Sequence, residues 1–283
     1  MACERPIILK DHLTTVPCRR CIFCLQEKRD NWTFRVGQEY KKARTAYFIT
    51  LTYDDQHLPI DNKGRAYLDK KQLVGFLKRL RIRNEREIEK YWRARENSTP
   101  MPKMAKTKYF ACGEYGSKKK RPHYHIIVFN LFPNTLKYLN ELWTEGNIDL
   151  KIAKAGAIHY TSGYLLKQTA VIKDGHARQF IIASQHMGEH YLKNAMYHSE
   201  NLTAKCSING FSIGLPSNFR NKIFTKEQKE IMRNENEKKR LEKDTIWIDQ
   251  KTKENIDFDK YQTEQKNLLR ENANKKTSKK RKL

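Results

Sequence analysis

The histidines of the segment RPHYHIIVF (121–129) are the residues best suited to hold a metal ion. His123 and His125 are two positions apart on a predicted strand, so both side chains leave the same face. The residues that follow are apolar on both faces, which predicts a central, buried strand. Buried imidazoles need polar partners, and a divalent cation meets that need. A hydrogen-bonded pair without metal is the alternative interpretation.

A third ligand is expected from the segment TKYFACGEYG, where Glu114 stands near the end of another predicted strand. If the two strands pair as a hairpin, its carboxylate approaches the imidazoles. Two histidines and a carboxylate suit Mg²⁺ or Mn²⁺ acting as a Lewis acid. Asp55 and His57 are alternative donors, and a glutamate paired with a lysine of the turn is the structural alternative. The turn between the strands could hold a phosphate through Lys118, Lys119, Lys120 and Arg121.

The segment YTSGYLLK (160–167) contains two candidate nucleophiles. Residues at i, i+4 and i+7 share one side of a helix, so Tyr160, Tyr164 and Lys167 are predicted to project in one direction. Tyrosines at this spacing commonly pack into a core, which is the structural alternative. A phenol becomes a covalent nucleophile when it is activated or its transition state is stabilised, and a metal ion with a nearby lysine would do both.

Three of the six cysteines fall in one short window, Cys18, Cys21 and Cys24, and Cys3 is a plausible fourth member. This clustering fits a metal knuckle in a reducing compartment better than a disulfide framework. Four thiolates favour structural zinc, whereas an iron–sulfur cluster is the alternative with similar spacing. Arg19 and Arg20 make the window polar, which argues against three buried reduced cysteines.

The charge of the chain favours nucleic acid as the partner. Lysine and arginine number 57 against 32 acidic residues, a net charge of +25, and 11% of residues are aromatic. Positive charge attracts polyanions at long range, and aromatic rings stack on unpaired bases. The sequence contains no apolar run long enough to span a membrane, and its N-terminus does not resemble a signal peptide. We therefore expect a soluble intracellular protein.

The order of elements predicts an α+β fold with an antiparallel central sheet and flanking helices. Predicted strands at 46–55, 107–116, 121–129 and 147–153 alternate with helices at 26–43, 69–95 and 157–170. The composition becomes rich in Lys, Glu, Asn and Gln beyond about residue 225, which predicts a partly helical, solvated tail. The predicted segments are an N-terminal cysteine segment with a helix, a central domain and a basic tail: 1–44, 45–224 and 225–283.

Three motifs in this order resemble those of the HUH endonucleases of rolling-circle replication. They are FITLTYDD (48–55), GEYGSKKKRPHYHIIVF (113–129) and YTSGYLLK (160–167). The combination is most similar to the replication initiation proteins of microviruses, especially the gokushoviruses. The cysteine window, the D-D-x-H-L-P turn (54–59), FIIASQ (180–185) and LPSNFR (215–220) also occur there, so the resemblance covers about residues 1–224. QHMGEH (185–190) departs from the more Pro- and Gly-rich turn of those relatives.

The resemblance implies an HUH (RRM-like) fold and a site-specific, metal-dependent nickase and strand-transferase. In that family a divalent cation held by the histidine pair, here with Glu114, polarises the scissile phosphate. One tyrosine forms a 5′-phosphotyrosine and leaves a 3′-OH, which primes a host polymerase. The second tyrosine cleaves after one round, and the released 3′-OH closes the circle. Lys167 would neutralise developing charge, and we expect Tyr164, three residues away, to act first.

The resemblance also implies where the protein works and what it binds. Its partner would be the single-stranded DNA origin, contacted by the basic turn and His57, with a host helicase engaged beside the polymerase. The expected location is the cytoplasm of the bacterial host cell. Two other interpretations remain: an HUH transposase or relaxase, and a zinc-stapled single-stranded nucleic-acid-binding protein without catalysis. Covalent attachment to DNA distinguishes the last of these from the enzymes.

Overall fold

The helices and strands follow the predicted order closely. The structure, a computed structural model, describes residues 3–9, 15–94, 105–116, 119–167, 178–208 and 210–252, with a few more between 260 and 271. Its strands are β1 (Ile7–Ile8), β2 (Thr15–Val16), β3 (Ala46–Tyr53), β4 (Lys108–Tyr115), β5 (Pro122–Phe129), β6 (Gly146–Ile152), β7 (Phe180–Ala183), β8 (Lys205–Ile208) and β9 (Phe211–Gly214). Its helices are α1 (Ile22–Lys42), α2 (Lys70–Arg93), α3 (Leu139–Leu142), α4 (Ala155–Lys167), α5 (Ala195–Glu200), α6 (Ser217–Ile223) and α7 (Lys226–Thr252).

Two compact units are distinguished by their internal contacts. One is Trp32–His190, and the other combines Met1–Asn31 with Tyr191–Leu283. The division into segments 1–44, 45–224 and 225–283 stays a prediction. None of the described helices combines the length and the apolar character that crossing a membrane would require.

An antiparallel sheet forms the centre of the unit Trp32–His190. Among the described residues it has five strands in the order β6-β3-β5-β4-β7. Each neighbouring pair is antiparallel. The histidine strand β5 is the middle strand, flanked by β3 and β4. The predicted α+β class with an antiparallel central sheet and flanking helices is therefore confirmed.

One face of the sheet packs against helix α2. Alternation along the strands points Ile49, Leu51, Tyr124 and Ile126 to this face, and all four are fully buried. The predicted apolar stripe of α2 covers them with Leu73, Phe76, Leu77 and Leu80. Asp69 caps this helix, because its carboxylate accepts hydrogen bonds from the N–H groups of Lys71 and Gln72.

The opposite face packs against α1 and α4 and becomes polar toward one end. Phe110, Ile127 and Phe129 bury their side chains there in one cluster with Val36 of α1 and Ile158 of α4. Side chains two residues apart on a strand share a face, so the two histidines continue the row that Ile127 and Phe129 begin. The sheet thus brings the predicted ligands to the same face as the tyrosine helix.

The turn 185–190, where the sequence departs from the microvirus relatives, is fixed to helix α1. Gly188 has a φ of +72°, and a Cβ there would lie 2.5 Å from the carbonyl oxygen of Arg35. Buried Glu39 accepts hydrogen bonds of 2.8 Å from the Gly188 N–H and from Lys108. Met187 is fully buried in the cluster that contains Ile158. The turn therefore helps to hold helix α4 against the sheet.

The second unit contains the cysteine window, the β8–β9 hairpin and helices α5 to α7. Strands β1 and β2 form a short antiparallel pair, and β8 pairs with β9. Helix α7 is largely exposed and polar over its described side chains, which agrees with a solvated C-terminal segment. Most residues beyond 252 lie outside the described part of the chain.

Candidate active site

Glu114, His123 and His125 form a cluster that could hold a metal ion. Strands β4 and β5 pair with Glu114 directly opposite His123, as the predicted hairpin requires. One ligand atom from each residue lies within 4.8 Å of the other two. Glu114 is 6% exposed and His125 is 7% exposed. The donor set of two imidazole nitrogens and a carboxylate oxygen fits Mn²⁺ or Mg²⁺.

The rings of both histidines are held through Nδ1. The Nδ1 of His123 is 3.3 Å from the carbonyl oxygen of Arg121, which can only accept a hydrogen bond, so that nitrogen carries the proton. The Nδ1 of His125 is 3.2 Å from Oγ1 of Thr50. Its Nε2 lies 4.0 Å from the Glu114 carboxylate. Orienting one imidazole nitrogen leaves the other to bind a cation, the usual arrangement around protein-bound metals.

The alternative donors Asp55 and His57 have other contacts in the structure. Asp55 is ion-paired with Arg121, whose guanidinium also donates to the carbonyl oxygen of Tyr53. His57 bonds through Nδ1 to the Asp54 carboxylate at 2.8 Å. Glu114, rather than either of these residues, completes the cluster with the histidine pair.

The Asp54 contact changes the acidity of both partners. The hydrogen bond from the Asp54 carboxylate raises the pKa of His57. The same bond lowers the pKa of Asp54, with a smaller effect of the His57 backbone N–H. The protonated imidazole is thus favoured on an exposed turn, where it suits a contact with phosphate.

Tyr160 lies beside the histidine cluster. Its ring centroid is 5.7 Å from that of His125, with the two planes at 73°. Phe48 of β3 contacts both groups, since it stacks on His125 at 5.5 Å and meets Tyr160 at 6.2 Å. Tyr160 is 51% exposed, so its phenol remains accessible to a substrate. Tyr164 and Lys167 belong to the same helix, but their side chains lie outside the described part of the chain.

Buried hydroxyl groups fix the back of the tyrosine helix. Oγ1 of Thr33 in α1 is 2.6 Å from Oγ of Ser162, and both residues are buried. Ser162 in turn donates to the Ile158 carbonyl oxygen at 2.8 Å. In an α-helix, positions two apart point to nearly opposite sides, so this contact on Ser162 leaves Tyr160 on the side of the histidines.

The basic turn between β4 and β5 is only partly described. Lys119 and Lys120 are exposed, whereas Lys118 lies outside the described residues. Arg121 is already engaged with Asp55 and the chain at Tyr53. Lys119 and Lys120 are therefore better placed than Arg121 to contact DNA freely.

The four cysteines of the N-terminal window converge, including Cys3. Their sulfurs lie within 4.8 Å of one another. Cys18 is 3.9 Å from Cys24, and Cys21 is 4.0 Å from Cys3, measured between Sγ atoms. Four sulfurs at the ordinary zinc distance form a tetrahedron with edges of about 3.8 Å. The geometry and the donor set fit a tetrahedral zinc ion.

The acidity of Cys18 suits a metal ligand. Backbone N–H groups of Arg20 and Cys21 donate to its sulfur and lower its pKa to about 6, so a thiolate forms readily at neutral pH. Burial instead raises the pKa of Cys24, the most enclosed of the four. A bound cation would stabilise the thiolate of Cys24 against that effect.

Several residues of the site carry no signal in the sequence. Thr50, Phe48 and Thr33 are ordinary residues of a strand or a helix, and only the register and the helix packing bring them to the histidines or the tyrosine helix. The alternation of FITLTYDD places Phe48 and Thr50 on one face, but the partner strand had to be known to match Thr50 with His125. The Asp54–His57 contact is local and follows from the spacing of a polar turn.

The described fold and site define an α+β protein with a carboxylate–histidine cluster beside an accessible tyrosine. Residues 46–169, which contain all of these groups, match the family model for the phage replication-associated protein ORF2. The resemblance to phage replication proteins that the sequence predicts is thereby confirmed. No solved structure matches the chain significantly.

Three curated phage proteins are similar to this chain. Replication-associated protein VP4 of Bdellovibrio phage phiMH2K is 32% identical over 169 residues, 54% of this chain and 49% of that protein. ORF2 of Spiroplasma virus 4 is 31% identical over 183 residues, 59% of this chain and 52% of the relative. ORF4 of Chlamydia phage 1 is 29% identical over 230 residues, 72% and 52%. Both are also named replication-associated proteins, and the chain spans about half the length of these relatives.

Proposed function

We propose that this protein initiates rolling-circle replication of a small single-stranded DNA phage by nicking the origin. The reaction joins a tyrosine to the 5′ side of the cleaved strand and leaves a 3′-OH for a host polymerase, with a host helicase opening the template. The matches to phage replication-associated proteins support the replication role. The closeness of Tyr160 and His125, 5.7 Å between ring centroids, is the observation that carries the proposed chemistry.

Glu114, His123 and His125 would hold the catalytic cation, Mg²⁺ or Mn²⁺. When bound, such an ion withdraws electron density from a phosphate oxygen and stabilises the charge that develops there. The protein's own contribution is the orientation of the ligands, because the Arg121 carbonyl oxygen and Thr50 hold the two Nδ1 atoms. Lys119 and Lys120, exposed beside the strand that carries the ligands, would hold the DNA backbone.

The nicking step exchanges one phosphate ester for another. The phenol oxygen of a tyrosine forms a bond to the scissile phosphorus, and the bond from phosphorus to the 3′ oxygen breaks. The phenol proton is lost and the 3′ oxygen gains one, so no water or redox partner is consumed. Because the energy of the ester is kept, a 3′-OH can later attack the phosphotyrosine and close the circle.

Tyr160 and Tyr164 would alternate as nucleophiles. The structure describes the side chain of Tyr160, which is half-exposed and beside His125. Tyr164 is one helical turn further along, and Lys167 follows it by three residues. We keep Tyr164 as the first nucleophile and Lys167 as its charge partner on the sequence argument. A second cleavage by the other tyrosine would release one genome length.

The cysteine cluster would bind structural zinc. Cys3, Cys18, Cys21 and Cys24 close a tetrahedral site without an open position, which is typical of zinc sites that stabilise a fold rather than perform chemistry. Their place in the first residues of the chain would let the metal tie the N-terminus to the start of helix α1.

Covalent attachment to DNA tests the proposal. The full chain is incubated with labelled single-stranded oligonucleotides that cover its own genome, with Mn²⁺ or Mg²⁺, and adducts are resolved on a denaturing gel. We expect a metal-dependent adduct that is weakened in Tyr160→Phe or Tyr164→Phe, lost in the double variant and lost in His123→Ala. Tyr197→Phe is the matched control, since Tyr197 is 62% exposed on a different helix.

Two results would contradict the proposal. Tight binding of an origin strand without any adduct would favour a non-catalytic single-stranded DNA-binding protein. An adduct that persists in the double tyrosine variant would place the nucleophile elsewhere in the chain. Integration of the DNA into a second target, rather than recircularisation, would instead favour a transposase.

A further inference from the structure

Thr50 is the polar side chain that meets the imidazole of His125 from the neighbouring strand β3. The two residues are directly opposite each other in the register of β3 and β5. Their side chains share the face that carries the histidine cluster, and Oγ1 of Thr50 is 3.2 Å from Nδ1 of His125. Phe48, two residues earlier on the same strand, stacks on the same ring at 15° between planes. Strand β3 therefore contacts His125 both at an edge and on a face.

The two histidines differ in how they are held. The Nδ1 of His123 faces the backbone carbonyl oxygen of Arg121, a partner that no substitution removes. The Nδ1 of His125 faces a hydroxyl group, which can either donate or accept a hydrogen bond. Thr52 is opposite His123 in the same register, but its hydroxyl is 3.4 Å from the carbonyl oxygen of Asn147 instead. One threonine of the pair thus contacts a candidate ligand and the other does not.

We infer that Thr50 is a positioning residue, which accepts a hydrogen bond from Nδ1–H of His125 and so presents Nε2 to the cation. This inference rests on the proposed metal site. If the Nδ1 proton were lost from that position, the imidazole would carry its proton on Nε2, the nitrogen that faces Glu114 at 4.0 Å. An imidazole in that tautomer cannot bind a cation through Nε2. Partners of this kind change metal affinity by roughly 10- to 100-fold when they are removed.

The experiment compares Mn²⁺ binding by the full-length wild-type chain with that of Thr50→Val, Thr50→Ser and Thr52→Val. Valine keeps the branched shape of threonine without the hydroxyl, and serine keeps the hydroxyl. We expect Thr50→Val to weaken Mn²⁺ binding by about 10- to 100-fold. Thr50→Ser and Thr52→Val should stay close to the wild type. Circular dichroism checks that each variant is folded.

A second readout follows the proton rather than the metal. Nitrogen-15 NMR of the metal-free protein distinguishes the two neutral tautomers of His125. We expect the Nδ1–H form in the wild type and in Thr50→Ser, and a shift toward Nε2–H in Thr50→Val. A merely structural role for Thr50 would not exchange the tautomers.

The outcomes separate this inference from the function on which it rests. Unchanged Mn²⁺ affinity and an unchanged tautomer in Thr50→Val would overturn the role of Thr50 while the metal site stands. Equal losses in Thr50→Val and Thr52→Val would also overturn it, because the effect would not depend on the contact with His125. Equal Mn²⁺ binding by the wild type and His125→Ala would contradict the metal site itself, and the inference with it.

Discussion

The ring of Tyr160 meets the ring of His125 nearly at right angles, with 5.7 Å between their centroids. His125 lies on the middle strand of a sheet and Tyr160 on the helix that covers it, so two separate elements must be placed correctly for this contact. Phe48 touches both rings and limits how far they can move apart. A half-exposed phenol beside a carboxylate–histidine cluster is the arrangement from which the proposed nicking activity follows.

The buried Thr33–Ser162 contact is expected to hold the tyrosine helix in place. Ser162→Ala removes the acceptor that Thr33 uses, which should lower the free energy of unfolding by about 1–3 kcal/mol. We also expect slower adduct formation with little change in DNA affinity, because Tyr160 would be less well oriented. Chemical denaturation and the adduct assay measure the two effects.

The matched control for this contact is the double variant Thr33→Val/Ser162→Ala. Replacing both polar partners by apolar groups of similar shape should recover much of the lost stability. Stabilities of the two single variants that simply add in the double variant would mean that the hydroxyl groups do not interact.

Removal of one cysteine should abolish zinc binding at the N-terminal site. We expect Cys21→Ser to retain clearly less than one zinc per chain and to unfold at a lower temperature, because metal binding and folding are coupled in such sites. Cys206→Ala is the control: burial raises the pKa of Cys206 to about 12, so it is a neutral thiol outside the cluster. Elemental analysis gives the metal content, and iron in place of zinc would contradict the assignment.

The Asp54–His57 contact predicts a pH dependence. Since the folded protein raises the pKa of His57, its protonated form stabilises the fold fully below the unfolded value of about 6.5. That contribution is lost as the pH rises through the higher pKa of the folded state. If His57 contacts phosphate as proposed, the affinity for single-stranded DNA should fall over the same pH range.

NMR titration of His57 checks this prediction, with Asp54→Asn as the test of its cause. The substitution removes the carboxylate that accepts from Nδ1, so the pKa of His57 should move down toward about 6.5. An unchanged pKa in Asp54→Asn would show that the carboxylate is not responsible. A pH profile of DNA binding that is the same in His57→Gln would remove His57 from the DNA contacts.

Much of this arrangement could be predicted because it depends on local periodicity. The two-residue spacing of His123 and His125 fixes their common face, and a short basic turn makes a hairpin with Glu114 the simplest connection. The pairing of Thr50 with His125 could not be predicted, because it joins residues 75 positions apart and a shift by one residue would reverse the face. The Thr33–Ser162 contact spans 129 positions and depends on helix packing alone.

The site of covalent attachment is the most direct test of the central claim. Trypsin cuts after Lys154 and Lys167, so both candidate tyrosines fall in one peptide, AGAIHYTSGYLLK. After reaction with an origin strand and Mn²⁺, nuclease and trypsin treatment followed by tandem mass spectrometry should find a nucleotide on this peptide, at Tyr160 or Tyr164. A nucleotide found only on another residue, or a covalent adduct that forms without any divalent cation, would contradict the account.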